Sequence, residues 1–591
     1  MNRVQGQIST TMQQALTHLK QGKLAAAEAA FEQILKLQPR NADALNFLGI
    51  IAAQTQQSGK AVSLFDKALA VDSRNPGIFN NRGLALQAVG DFAAALQSFE
   101  RAIALKPDHA AAHFNRGNVL KALARVDEAI ESYDRAIALH AKFTEAHYNK
   151  GVLLGELGRF DEAVASYDRV VGCRSDHAEA FYNRGHALRA LGRFDPALQS
   201  FDQAIAARNN YPEAYLNRGE VLEELAQPEA ALASYEHAIG LRPHYAKALY
   251  NRGNVFKALR RFDDAIASYE FCIRLEPDHA DAHFNKAMVL LVRGDFDAGW
   301  AEHEWRWKSK NGPARHQIKQ FAQALWLGRE DLEGTTILLH WEQGLGDTIH
   351  FCRYAQVLER RGAKVILLVQ RRLVEVLANL AGVAQLVAEG DELPNFDVHC
   401  PLMSLPLALT TRLETIPSAP RYLSAQPALI DEWHDRLCAK TRPRIGLVWY
   451  GNPGHSGDRH RSLALDELLA GLPRDVDYVS LQWELRGVDA VALRANPIML
   501  TFPDPLDLKN TAALIECLDL VICVDTSIAH LSAALGRKTW LLLSADPDWR
   551  WLTDRDDSPW YPSMKLYRQQ KLDDWSDALE RVAADVSALK F

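Results

Sequence analysis

Three short stretches hold residue types whose spacing can do chemistry. The first is Gly344-Leu-Gly346-Asp347, with His350 one helical turn further on. Two glycines allow a tight turn from a strand into a helix, and an acid just inside that helix can take a proton or cap the helix start. The second is Asp525-Thr526-Ser527-Ile528-Ala529-His530, after an apolar run. Hydroxyls and free N–H groups at a helix start make an anion site, and a histidine one turn in can face the same anion. An ordinary Thr/Ser cap beside a partly buried histidine fits the same letters. The third runs from Gly451 to Ser462 and carries Arg459, His460 and Arg461. Such cations can neutralise a departing diphosphate, or simply decorate a mobile solvent loop. Gln482, at another strand end, is a candidate contact for a nucleoside.

These stretches need strand ends to hold them. After Asn311-Gly-Pro313 apolar runs alternate with helical patterns, which predicts an α/β region with parallel sheets. Predicted strands are Thr336–His340 and Val365–Val369, then Arg444–Trp449, Asp477–Gln482, Leu518–Val524 and Lys538–Leu543. Each motif follows one of them, and open α/β sheets bind ligands at strand carboxyl ends. The expected layout is a linker over 306–333, a first lobe over 334–425 carrying the base, and a second lobe over 426–591.

The other half of the chain repeats with a period of 34. An aromatic recurs at Phe31, Phe65, Phe99, Tyr133, Tyr167, Phe201, Tyr235 and Tyr269, with an alanine four positions earlier each time. The alanine lets two helices approach, and the aromatic is expected to fill the gap against the neighbouring unit. Trp300 to Trp305 reads as a capping helix. Asparagine stands in register at Asn81, Asn115, Asn149, Asn183, Asn217, Asn251 and Asn285. A primary amide donates and accepts at once, so such a row can grip an extended peptide whatever its side chains. It can equally bond within its own repeat. Arg or Lys follows each one, from Arg82 to Lys286, and is expected to give a basic lining.

A net charge of −7 and a pI near 6.3 argue against a general nucleic-acid or anionic-membrane binder. No stretch reaches the roughly 20 apolar residues of a membrane helix, and Met1 to Gln13 has no signal-peptide core, so a cytoplasmic protein is expected. Seven cysteines without zinc spacing are expected to be buried thiols.

Over 8–305 the pattern resembles the tetratricopeptide repeat, and the asparagine row resembles the one lining the superhelix of O-GlcNAc transferase. Over about 330–591 the chain resembles glycosyltransferase family nine, the heptosyltransferases, and more closely their cytoplasmic relatives fused to tetratricopeptide repeats. That likeness rests on Gly344 to Asp347, on Arg461-Ser462 and on Val524 to Gly536. It implies an α superhelix followed by a GT-B fold of two Rossmann-like lobes. It implies an inverting, metal-independent transferase that needs no cofactor beyond a nucleotide-sugar co-substrate, whether hexosyl, heptosyl or nonulosonyl. It further implies a base at Asp347, with His350 in reserve, and donor contacts at Gly344, Gly346, Arg459, Arg461, Gln482, Asp525, Thr526, Ser527 and His530. The acceptor it implies is Ser or Thr of a protein held on the asparagine row, such as flagellin or an adhesin. A glycan-core transferase with docking repeats and a non-catalytic scaffold are the alternatives. The third loop lacks the lysine-based motif of the heptosyltransferases, a departure that weakens the case for ADP-heptose as donor.

Overall fold

A computed structural model describes residues 2–310, 312, 319–452, 454, 458–487, 489–496, 498–502 and 506–589. The chain divides into two compact units, Met1–Pro243 and His244–Phe591. In the first, antiparallel helix pairs follow one another from Asn2–Lys20 to Pro228–Leu241. The pair Pro76–Val89 and Phe92–Leu105 illustrates why. Asn75 caps the first helix by accepting from Gly77 and Ile78, and Gly90, at φ 89°, lets the chain turn left-handed out of it. Asp91 caps the second by accepting from Ala94. Phe99 is fully buried, and a Cβ on Gly83 would lie 2.5 Å from its ring. The recurrent aromatic therefore fills the space over the glycine of its own pair, where the spacing alone pointed to the neighbouring unit. Gly117 and Tyr133, and Gly185 and Phe201, repeat the arrangement.

The second unit begins with the last repeats, Ala246–Ala258 with Phe262–Leu275 and Ala280–Val292 with Phe296–His303, closed by the turn Glu304–Trp307. Two parallel sheets follow. The first contains β1 (Ala324–Leu325), β2 (Thr336–His340), β3 (Lys364–Val369), β4 (Gln385–Ala388) and β5 (Val398–Pro401), in the order β1-β5-β2-β3-β4. The second contains β6 (Arg444–Val448), β7 (Asp477–Ser480), β8 (Met499–Leu500), β9 (Leu520–Val524), β10 (Thr539–Leu543) and β11 (Met564–Arg568), in the order β11-β10-β9-β6-β7-β8. β6, β9 and β10 are buried along their whole length, as strands covered on both faces must be. The predicted strands are all present within two residues; β1, β4, β5, β8 and β11 were not foreseen, being short or carrying polar residues.

The end of the repeat array shares its core with the sheets. Phe296 and Trp300 lie in one apolar cluster with Phe351, Trp549 and Trp560, and Trp300 meets Trp549 edge-on at 5.1 Å. Trp300 also donates to the carbonyl of Thr411 at 2.8 Å. Arg306 is fully buried, donates to Glu342 at 2.8 Å and to Ser404 at 2.7 Å, and pairs with Glu304. Residues 305 and 306, the expected domain edge, thus sit inside one packed body. Five cysteines are buried as expected, while Cys173 and Cys438 are exposed. No helix among the described residues is long and apolar enough to cross a membrane.

Candidate functional site

β2 and β9 each deliver a helix start to the same place. Gly344 caps the helix Leu345–Phe351, and its N–H donates to Asp347 Oδ2 at 2.9 Å. Thr526, in extended conformation, caps Ser527–Ala534 without using its side chain, and its Oγ1 is buried with no partner. A Cβ on Gly346 would lie 2.9 Å from Cδ2 of His530 and 3.4 Å from Cα of Ser527. Only a glycine permits this approach of the two helix N-termini, whose unsatisfied N–H groups make the junction attractive to an anion.

Charged groups crowd the junction. Asp347 Oδ1 accepts from Arg550 at 2.5 Å, and Arg550 also donates to Asp548 at 2.8 Å. Its Nε is buried with no partner. Asp347 therefore holds the helix start, through the Gly344 N–H, and pairs with Arg550 at the same time. Burial pushes its carboxyl above the usual range, against the pull of Arg550. Burial and the negative charge of Asp548 push Asp525 up to about 6, although Trp551 donates to it at 2.8 Å. His530, 6% exposed, stacks on Trp551 at 5.4 Å, and burial together with Arg550 and Arg353 holds it well below its ordinary range. His350 is fully buried, edge-on to Phe351 at 4.6 Å and against Trp560 at 4.6 Å.

The structure thus gathers Gly344, Gly346, Asp347, Asp525, Thr526, Ser527 and His530, with His350 behind them in the core. Arg461 joins them, donating to the carbonyl of Asp525 at 3.0 Å. Arg459 does not. The two lie on one short turn, Asp458–Arg461, and residues two apart on a helix face different ways. Arg459 is exposed and lines a separate cavity of about 1010 Å³ with Tyr450, Arg486 and Trp575. Gln482 donates to the carbonyl of Tyr450 at 3.2 Å, and its Oε1 is buried without a partner. Pro453, His455, Ser456 and Gly457 of the third loop lie outside the described residues. A further cavity, of about 530 Å³, is lined by Arg444, Asp519 and Arg537 at the amino ends of β6 and β9, away from these groups.

Arg550, Asp548 and Trp551 were not foreseen. Their signal is an acid and an arginine between tryptophans just after β10, at a strand carboxyl end like the other three loops. A second signal needs coordinates: Leu552 holds φ 54°, ψ −168°, a region side chains rarely adopt, and such strain gathers at working sites.

In the repeats, the asparagine row is engaged from unit to unit. Asn81 donates to Asn46 at 3.1 Å, Asn115 to Asn80 at 3.0 Å, Asn149 to Asn118 at 2.9 Å and Asn183 to Tyr148 at 3.2 Å. Asn217 donates to Tyr182 at 3.2 Å and Asn285 to Tyr250 at 3.1 Å; Asn251 also has a partner. The expected basic lining is neutralised. Arg82, Arg184 and Arg218 pair with Asp66, Asp168 and Asp202, and Lys150 with Asp134.

Residues 12–76, 80–142, 117–178, 148–212, 182–246 and 246–279 match the tetratricopeptide repeat families, so the helical array is made of tetratricopeptide repeats. Residues 496–550 match glycosyltransferase family 9 (heptosyltransferase), a segment holding the Asp525–His530 loop and Arg550. Protein FlbA of Caulobacter vibrioides is 27% identical over 314 residues, covering 48% of this chain. The chain spans about half, 51%, of that relative. Among solved structures, the tetratricopeptide protein YrrB, described as having an unusual peptide-binding site, is 24% identical with a TM-score of 0.30, over 32% of this chain and 96% of its own. The C-terminal part of a repeat protein from Cytophaga hutchinsonii is 18% identical with a TM-score of 0.37, over 42% of this chain and 99% of its own.

Proposed function

We propose that this chain is an inverting glycosyltransferase that moves a sugar from a nucleotide-sugar to a Ser or Thr hydroxyl of a protein held by the repeats. In this reading 334–425 and 426–591 are the two lobes of a GT-B fold, and the chain works in the cytoplasm without a metal. The observation that carries it is the abutment of two helix N-termini with Asp347, His530, Arg461 and Arg550 around the junction.

The diphosphate lies against Thr526, Ser527 and His530, with Arg461 beside them. The acceptor oxygen attacks the anomeric carbon from the opposite side while Asp347 takes its proton. The bond from that carbon to the diphosphate oxygen breaks, and its electron pair leaves with the nucleotide. Helix N–H groups and guanidinium groups are already in place where that charge develops. Arg550 favours the ionised form of Asp347 in a place where burial opposes the charge. In the repeats, the amide oxygens of the row are the ends that take N–H groups from a guest backbone, since the amide N–H ends are engaged between units.

That engagement also favours a second reading, in which the repeats are a stiff docking module and the acceptor is a glycan core. Paired alanine substitutions at Asn115 and Asn149 separate the two: reduced transfer to protein with unchanged donor hydrolysis supports the first, unchanged transfer the second. A thermal-shift screen against UDP-, GDP-, ADP- and CMP-sugars identifies the donor, because a ligand that binds the folded state raises its stability. Asp347→Asn should then lower transfer by about 10²–10⁴-fold while the same donor still shifts the melting temperature. Transfer at the wild-type rate would remove Asp347 from its role.

A further inference from the structure

Tyr561 stands between two histidines carried by different helices. Its hydroxyl lies 3.1 Å from Nδ1 of His350 and 2.9 Å from Nδ1 of His530. A phenol has one proton, so it donates to one ring only, and the other ring must donate its own Nδ1–H to the phenol oxygen. The neighbouring protons are spoken for. The Tyr422 hydroxyl donates to the carbonyl of Ile349 at 2.9 Å, and Arg353 donates to the Tyr422 oxygen at 3.0 Å. At 3.4 Å from Tyr561, Tyr422 has no spare proton to offer it and is a more distant acceptor for the Tyr561 proton than either ring.

The far nitrogens decide which ring donates. Nε2 of His350 is buried with no partner. A buried N–H left without an acceptor is rarer in folded proteins than an acceptor left without a donor. The His350 proton therefore sits on Nδ1 and goes to Tyr561, whose own proton goes to Nδ1 of His530. His530 must then carry its hydrogen on Nε2, the nitrogen 3.6 Å from where a Cβ on Gly346 would stand.

We propose that Tyr561 is a positioning residue that fixes His530 as a neutral Nε2–H donor at the junction of the two helix N-termini. His530 then serves the departing phosphate as a fixed hydrogen-bond donor and not as a carrier of protons. This rests on the transferase reading for its purpose but not for its chemistry. Burial keeps both rings neutral, and the Arg353 and Arg550 guanidinium groups act in the same direction.

The test is nitrogen NMR of the full chain with ring-labelled histidine, the His530 signals being assigned by their loss in His530→Gln. The wild type should show His530 with a protonated Nε2 and a bare Nδ1 at pH 7. A proton on Nδ1, or on both nitrogens, would overturn the proposal, and this measurement needs no variant of Tyr561. In Tyr561→Phe the ring loses its donor and should populate both tautomers. Transfer kcat should fall about ten-fold, less than the 10²–10³ of a donor removed outright, with donor KM nearly unchanged. An unchanged tautomer and kcat in that variant would also overturn it. If no nucleotide-sugar is turned over by the wild type, the transferase reading falls while the tautomer measurement still judges Tyr561.

Discussion

A polar side chain in the repeats meets its partner at steps that recur along the chain, while around the strand-end loops the steps are irregular, from 2 positions for Arg550 and Asp548 to more than two hundred. Arg82 reaches Ser98 16 positions on, and Asn115 reaches Asn80 35 positions back. Asp347 and Arg550 are separated by 203 positions, and His350 and Tyr561 by 211. The first arrangement is a row of near-identical local steps, in which damage stays near its origin. The second is a closed set that forms once, when both sheets are in place, and a break in it spreads.

Four substitutions test that contrast, the first expected to have the largest effect. Arg306→Leu leaves Glu342, 2% exposed, without its guanidinium, a loss of about 3–5 kcal/mol. Hydrogen exchange should rise from Trp300 through the Gly344 turn; a rise confined to the substituted residue would mean the set is not closed. Asp525→Asn removes a carboxyl whose folded pKa of about 6 lies above its unfolded value, so the folded wild type binds the extra proton and loses stability as pH rises from about 4 to 6. Thermal melts should show the variant gaining about 2 kcal/mol on the wild type across that window and no more beyond it. Parallel curves from pH 4 to 7 would refute the shift.

Gly83→Ala drives a methyl into Phe99, and overpacking of about 1–3 kcal/mol is partly offset by the ~1 kcal/mol that alanine adds to a helix. Faster exchange should stay within the helix pair and its neighbours. Asn115→Ala removes the donor that Asn80 accepts from, costing about 1 kcal/mol. A denaturant midpoint lowered by more than Gly83→Ala lowers it would show that the amide row, not the aromatic packing, holds the units together.

The same contrast explains how much was readable beforehand. Period, alanine and aromatic columns fixed the repeats because each unit solves the same packing problem. They aimed the ring at the wrong unit, since Gly83 and its Phe99 are joined only by the angle between two helices. The strand-end loops could be located because glycine, acid and hydroxyl follow apolar runs there, although each also fits an ordinary turn or helix cap. Arg550 and Tyr561 were not, because nothing in the letters near them states which distant loop they will face. Arg459 and Arg461 looked alike until a four-residue turn sent them to different sides.

The burial of Arg306 bears on how this chain can be taken apart. A fragment beginning at residue 306 would retain Glu342 and the sheets but lose the partners that Phe296 and Trp300 supply, exposing the faces of Trp549 and Trp560 they cover. Such a piece invites aggregation, and its silence in an assay would say little about the intact chain. A useful dissection begins at residue 244, keeping two helix pairs as a built-in lid for that apolar wall.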